Sequence, residues 1–173
     1  MFYKLQKQYR HKEYDYSKDG FYFVTICCKD RRIFFGNIKS GEMQLSKIGK
    51  IAEKFWKEIP DHFSSVKLDK FVIMPNHIHG IIEIDNNNFY NNNDCLYVGE
   101  YPRMSKISPK PESLSVIIGS FKSITTKIVN SKFYEMGFAW QPRFYDRIIR
   151  NNDELNRIRQ YIISNPQNSS SAK

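Results

Sequence analysis

The sequence predicts an α+β protein: a ferredoxin-like (RRM-like) β-α-β-β-α-β antiparallel sheet with an added C-terminal helix. Three observations predict it. Strand-length runs of apolar and β-branched residues alternate with two stretches of helical periodicity, in the order this fold requires. The second and third strand runs are separated only by Pro75-Asn76, a hairpin connection that makes the pair antiparallel. A third helical stretch, with its own start and stop signals, follows the last strand.

Residues 1–19 are basic and tyrosine-rich and read as an arm. GFYFVTICCKD, 20–30, is β-branched and aromatic, bounded by Gly20 and a charge cluster, and reads as the first strand. Ser46 is an N-cap for the first helix. Its apolar residues Ile48, Ile51, Ala52, Phe55, Trp56 and Ile59 recur at helical spacing, and Pro60 is expected to end it. SVKLDKFVIM (65–74) and HIHGIIEI (77–84) are the hairpin strands. The stretch 85–111 contains DNNNFYNNND and reads as an insertion, since asparagine favours turns over ladders. SLSVIIGSFKSITTKIVN (113–130) is the second helix, with a stripe of Leu114, Ile117, Ile118, Phe121, Ile124 and Ile128. A fourth strand is expected after Pro142. Asn151 caps the last helix, with Glu154 as its capping-box partner and Leu155, Ile158 and Ile162 as its stripe. Asn165-Pro166 is expected to close that helix, leaving 167–173 as a polar tail.

The chain has 173 residues, enough for one domain with a full core, and its 15% aromatic content excludes a disordered chain. The net charge of +9 points to a polyanion partner, because Lys and Arg that neutralise phosphates release counterions. Cys27, Cys28 and Cys95 form no CxxC pair, so neither a disulfide framework nor a zinc knuckle is indicated. The N-terminus is too polar for a signal peptide, and no apolar run reaches membrane-spanning length. The expected compartment is a reducing cytoplasm, with no membrane partner.

The third strand raises a chemical question. Side chains alternate along a strand, so His77, His79, Ile81 and Glu83 face one way and Ile78, Gly80, Ile82 and Ile84 the other. The second set suits a core beneath the helices. The first places two imidazoles on the open face, either hydrogen-bonded locally or poised for a divalent metal. Tyr161 and Asn165, four apart on the last helix, project together beside its apolar stripe. The Asn165 amide oxygen can serve as a third, hard ligand, favouring magnesium or manganese.

Four blocks carry a family resemblance: VIMPNHIHGII (72–82), FKSITTK (121–127), WQPRFYDRIIR (140–150) and YIISNP (161–166). In this order they resemble the single-tyrosine HUH transposases. That group comprises insertion-sequence transposases that move as single-stranded DNA and their relatives associated with repetitive extragenic palindromes; the last two blocks point to the repeat-associated branch. The resemblance covers nearly all of 20–166, apart from the Asn-rich insertion.

The resemblance implies a division of labour. His77 and His79 bind a divalent metal, Mg²⁺ or Mn²⁺. Asn165 is the third ligand, where insertion-sequence members often carry Gln. Tyr161 is the nucleophile that forms a 5′-phosphotyrosine. The substrate is single-stranded DNA folded into imperfect palindromic hairpins, which places the protein at the nucleoid. Lys122, Lys127, Arg143, Arg147 and Arg150 are the candidate phosphate contacts near the open face. Trp140, Phe144 and Tyr145 either stack bases or pack in the core. Both a monomer and a homodimer that exchanges the tyrosine helix remain compatible, as does a non-catalytic nucleic-acid-binding module on the same sheet.

Overall fold

The structure, a computed structural model, describes residues 14–86 and 110–170, with side chains to 168. Most of the expected arm (1–13 of 1–19) and most of the insertion (87–109 of 85–111) lie outside the described residues. Strands β1 (Gly20–Cys27), β4 (Val66–Met74), β5 (His77–Ile84) and β6 (Tyr145–Ile149) form one sheet in the order β4-β5-β1-β6. All neighbours are antiparallel. With α1 (Lys47–Lys57) between β1 and β4, and α3 (Leu114–Lys132) between β5 and β6, this is the expected ferredoxin-like arrangement.

One sheet face meets α1 and α3. Val24, Ile26, Ile78, Ile82 and Ile84 pack there with Trp56, Ile117, Ile118 and Phe121. Gly80 faces this core because it alternates with those isoleucines. A Cβ there would lie 2.3 Å from Trp56 Cζ2, so the indole ring occupies the space a side chain would need. Gly80→Ala is therefore expected to destabilise the fold by about 1–3 kcal/mol through overpacking. The check is a lower urea midpoint at unchanged m-value.

The other face is covered by the last helix, α4 (Asn152–Ser170). Leu155 and Ile162 pack against Ile81 and Ile149, with Phe21, Phe23, Val72 and Ile158 around them. The helix lies over β4 and β5 and also touches a hairpin formed by β2 (Gly36–Lys39) and β3 (Glu42–Leu45).

The caps form where the sequence places them. Ser46 Oγ accepts from Gly49 N–H at 3.0 Å and donates to the Phe34 carbonyl at 2.6 Å. Asn151 Oδ1 accepts from Glu154 N–H at 2.8 Å. The Glu154 carboxylate does not return to Asn151; it accepts from Arg150 N–H at 3.0 Å, one residue earlier than a capping box requires.

The structure departs from the sequence reading in four places. First, 36–45, which the sequence reading leaves unassigned, is a hairpin of β2 (Gly36–Lys39) and β3 (Glu42–Leu45). Ser40 and Gly41 both have positive φ, 52° and 77°, which makes the tight two-residue turn that matches strand twist. Second, α1 ends at Lys57, ahead of Pro60 as expected, but Ile59 and Pro60 open a further short helix, α2 (Ile59–His62), whose first turn tolerates the missing proline N–H. Third, α3 buries Thr125 and Val129 where Ile124 and Ile128 were expected; Ile124 is exposed. After Phe121 the buried row advances by four residues per turn, along one ridge of the helix. Fourth, α4 runs through Pro166 to Ser170, so the first residues of the expected tail are helical. Proline removes a single intrahelical N–H bond, and buried Ile162 and Asn165 hold this turn in place.

Among the described residues, no helix is long and apolar enough to cross a membrane.

Candidate active site

The pairing register puts the site together. On the α4 side of the sheet, His77 lies opposite Cys27, and His79 opposite Thr25. Val72 flanks His79 on β4, and Tyr145 flanks Thr25 on β6. Ile81 then faces Phe23, and Phe23 faces Arg147. The histidines thus stand at the end of β5 nearest the Pro75-Asn76 turn, on the face that α4 crosses.

The two rings converge: His77 Nε2 and His79 Nε2 are 3.1 Å apart, with ring centroids at 4.6 Å. Their other nitrogens are held by the scaffold. Asn76 Nδ2 donates to the Arg31 carbonyl at 3.1 Å, which orients its amide. Asn76 Oδ1 then faces His77 Nδ1 at 2.7 Å, so that nitrogen must carry the proton. His77 Nε2 is left with its lone pair pointing at His79. His79 Nδ1 lies 2.8 Å from Thr25 Oγ1. Phe23 stacks on the His79 ring at 5.4 Å and 24°.

Burial keeps both imidazoles neutral. It lowers His77 to about 4, helped by the nearby Arg31 charge. It lowers His79 to about 3, with His77 adding to the effect. A lone-pair nitrogen held 3.1 Å from a second neutral imidazole fits a shared cation.

Tyr161 completes the arrangement. Its Oη lies 3.3 Å from His79 Nε2, its ring meets the edge of Phe23, and about half of the residue is exposed. Asn165 follows one turn later and is buried. Among the described residues, no three His, Cys, Asp or Glu side chains gather as a metal cluster. A third ligand drawn from the described residues would be of another type, such as the Asn165 amide.

The sequence reading missed what holds α4 over the histidines. Between Leu68 and Phe71 the β4 ladder slips, so that Asp69 and Lys70 oppose the single residue Ile81. This β-bulge presents Asp69 to α4. Arg159 Nε reaches Asp69 Oδ1 and Oδ2 at 3.2 and 3.0 Å, and a terminal nitrogen reaches Oδ2 at 2.5 Å. Burial alone would raise the Asp69 carboxyl; the Arg159 guanidinium and the Lys70 N–H outweigh it and hold it below its ordinary value. Arg159 precedes Tyr161 by two residues, so this fork clamps the helical turn that carries the phenol.

The basic candidates divide between two faces. Arg147 lies on the histidine side and pairs with Glu154 at 2.5 Å. Arg143 and Arg150 are exposed. Lys122 and Lys127 are not near the open face as expected. Helix α3 buries its apolar row in the opposite core, which carries both lysines across the sheet from the histidines. Lys122 Nζ donates to the carbonyls of Gln141 and Pro142 at 2.7 and 3.2 Å. Trp140 is buried core, while Phe144 is half-buried and Tyr145 exposed.

No protein-family model matches the chain. A protein of Haemophilus influenzae (strain ATCC 51907 / DSM 11121 / KW20 / Rd), described as uncharacterised, is 37% identical over 165 residues. The match spans 93% of this chain and 88% of that protein. Among solved structures, a REP-associated tyrosine transposase bound to a REP hairpin superposes with a TM-score of 0.61 at 19% identity. That match covers 93% of this chain and 74% of the other. The chain thus belongs to one family with the Haemophilus influenzae protein and has the fold of the REP-associated tyrosine transposase.

Proposed function

We propose that this chain is a metal-dependent DNA transposase/endonuclease that cleaves and rejoins single-stranded, hairpin-forming DNA through a 5′-phosphotyrosine. The observation that carries this reading is the convergence within one chain of Tyr161 Oη, His79 Nε2 and His77 Nε2, at successive distances of 3.3 and 3.1 Å. The transposase fold of the solved relative supports it.

The chemistry follows from the residues. Tyr161 Oη attacks the scissile phosphorus; the bond to the 3′ oxygen breaks, and that oxygen leaves as a free 3′-hydroxyl. The phosphotyrosine preserves the energy of the broken ester, so a 3′-hydroxyl can attack it and reverse the step without ATP. The half-exposed phenol lets water carry its proton away. His77 Nε2, His79 Nε2 and the Asn165 amide would hold a hard divalent cation, Mg²⁺ or Mn²⁺. Such an ion supplies charge neutralisation at the phosphoryl oxygens. Asn76 and Thr25 keep the ring nitrogens aimed. Because Tyr161 meets His79 of its own chain, this reading needs no exchange of the tyrosine helix between copies.

The test is a denaturing gel with end-labelled hairpin DNA and magnesium. A covalent protein–DNA band is expected, lost on addition of a chelator while hairpin binding survives in a native gel. Binding with no cleavage would instead identify a nucleic-acid-binding module. Cleavage without a covalent band would identify a metal-dependent hydrolase.

The Asp69–Arg159 fork has its own expected outcomes. Arg159→Met is expected to slow adduct formation at saturating hairpin about tenfold, with little change in hairpin affinity, because only the phenol's placement is loosened. The double variant Asp69→Arg with Arg159→Asp is expected to recover part of the rate. Asp69 titrates lower in the folded state, so its stabilisation is complete above the unfolded value of about 3.9. It is lost as pH falls through the folded value. The stability gap between wild type and Asp69→Asn should therefore narrow between pH 5 and pH 2 in urea titrations.

A further inference from the structure

We propose, resting on the strand-cleavage reading above, that Arg31 is a further catalytic residue whose guanidinium meets the scissile phosphate beside the two histidines.

The backbone supplies the first observation. Asp30 and Arg31, consecutive non-glycine residues, both take positive φ, 53° and 52°. L side chains adopt this region at an energetic cost, so the surrounding structure must enforce it. Hydrogen bonds do so from both ends. Cys28 N–H donates to the Asn76 carbonyl at 2.9 Å, and the N–H groups of Phe34 and Phe35 both donate to the Pro75 carbonyl, at 3.1 and 3.0 Å. Between these anchors Arg31 N–H donates to the Cys28 carbonyl at 3.1 Å and closes the turn. The loop 28–35 is thus fixed to the Pro75-Asn76 turn, directly before His77.

The turn also puts the arginine at the site. The Arg31 carbonyl accepts from Asn76 Nδ2 at 3.1 Å, and the Oδ1 of the same amide accepts from His77 Nδ1 at 2.7 Å. One side-chain amide therefore separates the Arg31 backbone from the His77 ring. Burial dominates the titration of both His77 and Cys27, and both also feel the Arg31 charge. These two residues face each other across β5 and β1 on the side that α4 crosses. The cation thus acts on the face where the phenol and the imidazoles converge.

The guanidinium is also uncommitted. Arg147 and Arg159 are tied to Glu154 and Asp69, and Lys122 to two carbonyls. Arg31 is exposed, and no carboxylate among the described residues pairs with it. Its planar fork of donors suits two phosphoryl oxygens at once. As Tyr161 Oη bonds to phosphorus and the bond to the 3′ oxygen breaks, negative charge builds on the oxygens around phosphorus. Arg31 neutralises that charge and keeps its own proton throughout. The left-handed turn aims the side chain before DNA arrives, so less ordering remains to be done at the reacting phosphate.

The experiment measures three things for each variant: the rate of adduct formation at saturating hairpin DNA with magnesium, hairpin affinity by fluorescence anisotropy, and melting temperature. Arg31→Met keeps the side-chain length and removes the charge. It is expected to slow adduct formation about a hundredfold while affinity stays within about threefold. Arg31→Lys should recover about tenfold of that loss, since it restores the charge but not the fork. Arg31→Gly should be as slow as Arg31→Met yet melt no lower than wild type, because glycine accepts positive φ without strain. A residue with only a structural role would lose stability together with activity. Asp30→Gly relieves the neighbouring strain and keeps the arginine, so its rate is expected within about threefold of wild type. Arg31→Met at the wild-type rate overturns the assignment. Equal losses in Asp30→Gly and Arg31→Gly overturn it too, because the turn and not the guanidinium would then be the active feature. Affinity that falls in step with rate reduces Arg31 to a binding charge and likewise overturns it. Wild type that forms no adduct at all overturns the strand-cleavage reading itself, and the assignment with it.

Discussion

Tyr161→Phe is expected to abolish the covalent protein–DNA band and to reduce strand cleavage by at least about a thousandfold, leaving hairpin binding within about twofold of wild type. The substitution removes one oxygen and little else. The ring keeps its edge contact with Phe23, and the exposed position means no buried donor is orphaned. Folding stability should therefore change by less than about 0.5 kcal/mol. A residual band at wild-type intensity would mean that another tyrosine attacks. Tyr145, exposed on β6 across Thr25 from His79, is the first alternative to test.

His77→Ala is expected to cost about 3–4 kcal/mol of transition-state stabilisation, roughly a hundred- to a thousandfold in cleavage rate. Hairpin affinity should stay near wild type, because the basic groups that meet phosphates lie elsewhere. The fold should tolerate the change, since His77 stands at the strand end beside a turn. His79→Ala should show the same loss of cleavage with an added loss of stability. His79 is buried, stacked on Phe23 and bonded to Thr25, so its removal leaves a cavity and an unpaired hydroxyl. If both variants lose cleavage and hairpin binding in equal measure, the histidines shape the DNA surface and do not serve the reaction.

Much of this molecule was legible in the chain because its signals are local. HIHGIIEI gives β5 to the residue, since a tight turn bounds it on one side and an asparagine run on the other. Ser46 and Asn151 cap as expected because a cap needs only its own short side chain and the N–H three residues on. The facing of His77 and His79 follows from strand alternation alone. Where the reading failed, the deciding contact lay elsewhere in the chain. The β2–β3 hairpin has four-residue strands, too short for alternation to stand out from loop sequence. The bulge at Asp69 is invisible without its partner strand, and with it the fork to Arg159, 90 residues away. Lys122 and Lys127 sit on the polar side of α3, but which sheet face α3 covers is a property of the whole fold. The Thr25 hydroxyl became a histidine partner only through the β1–β5 register. The Asn76 signal was closer: an amide directly before the first histidine, in PNHIH, is well placed to bond a ring nitrogen.

The most direct measurement is the identity of the atom that becomes joined to DNA. Wild-type protein is incubated with a hairpin oligonucleotide and magnesium, digested with nuclease and trypsin, and analysed by mass spectrometry. Trypsin cuts after Arg159, so the account predicts a 5′-phosphonucleotide on the peptide 160–173, carried by Tyr161. A nucleotide on any other peptide, or cleaved DNA with no modified peptide, would contradict it.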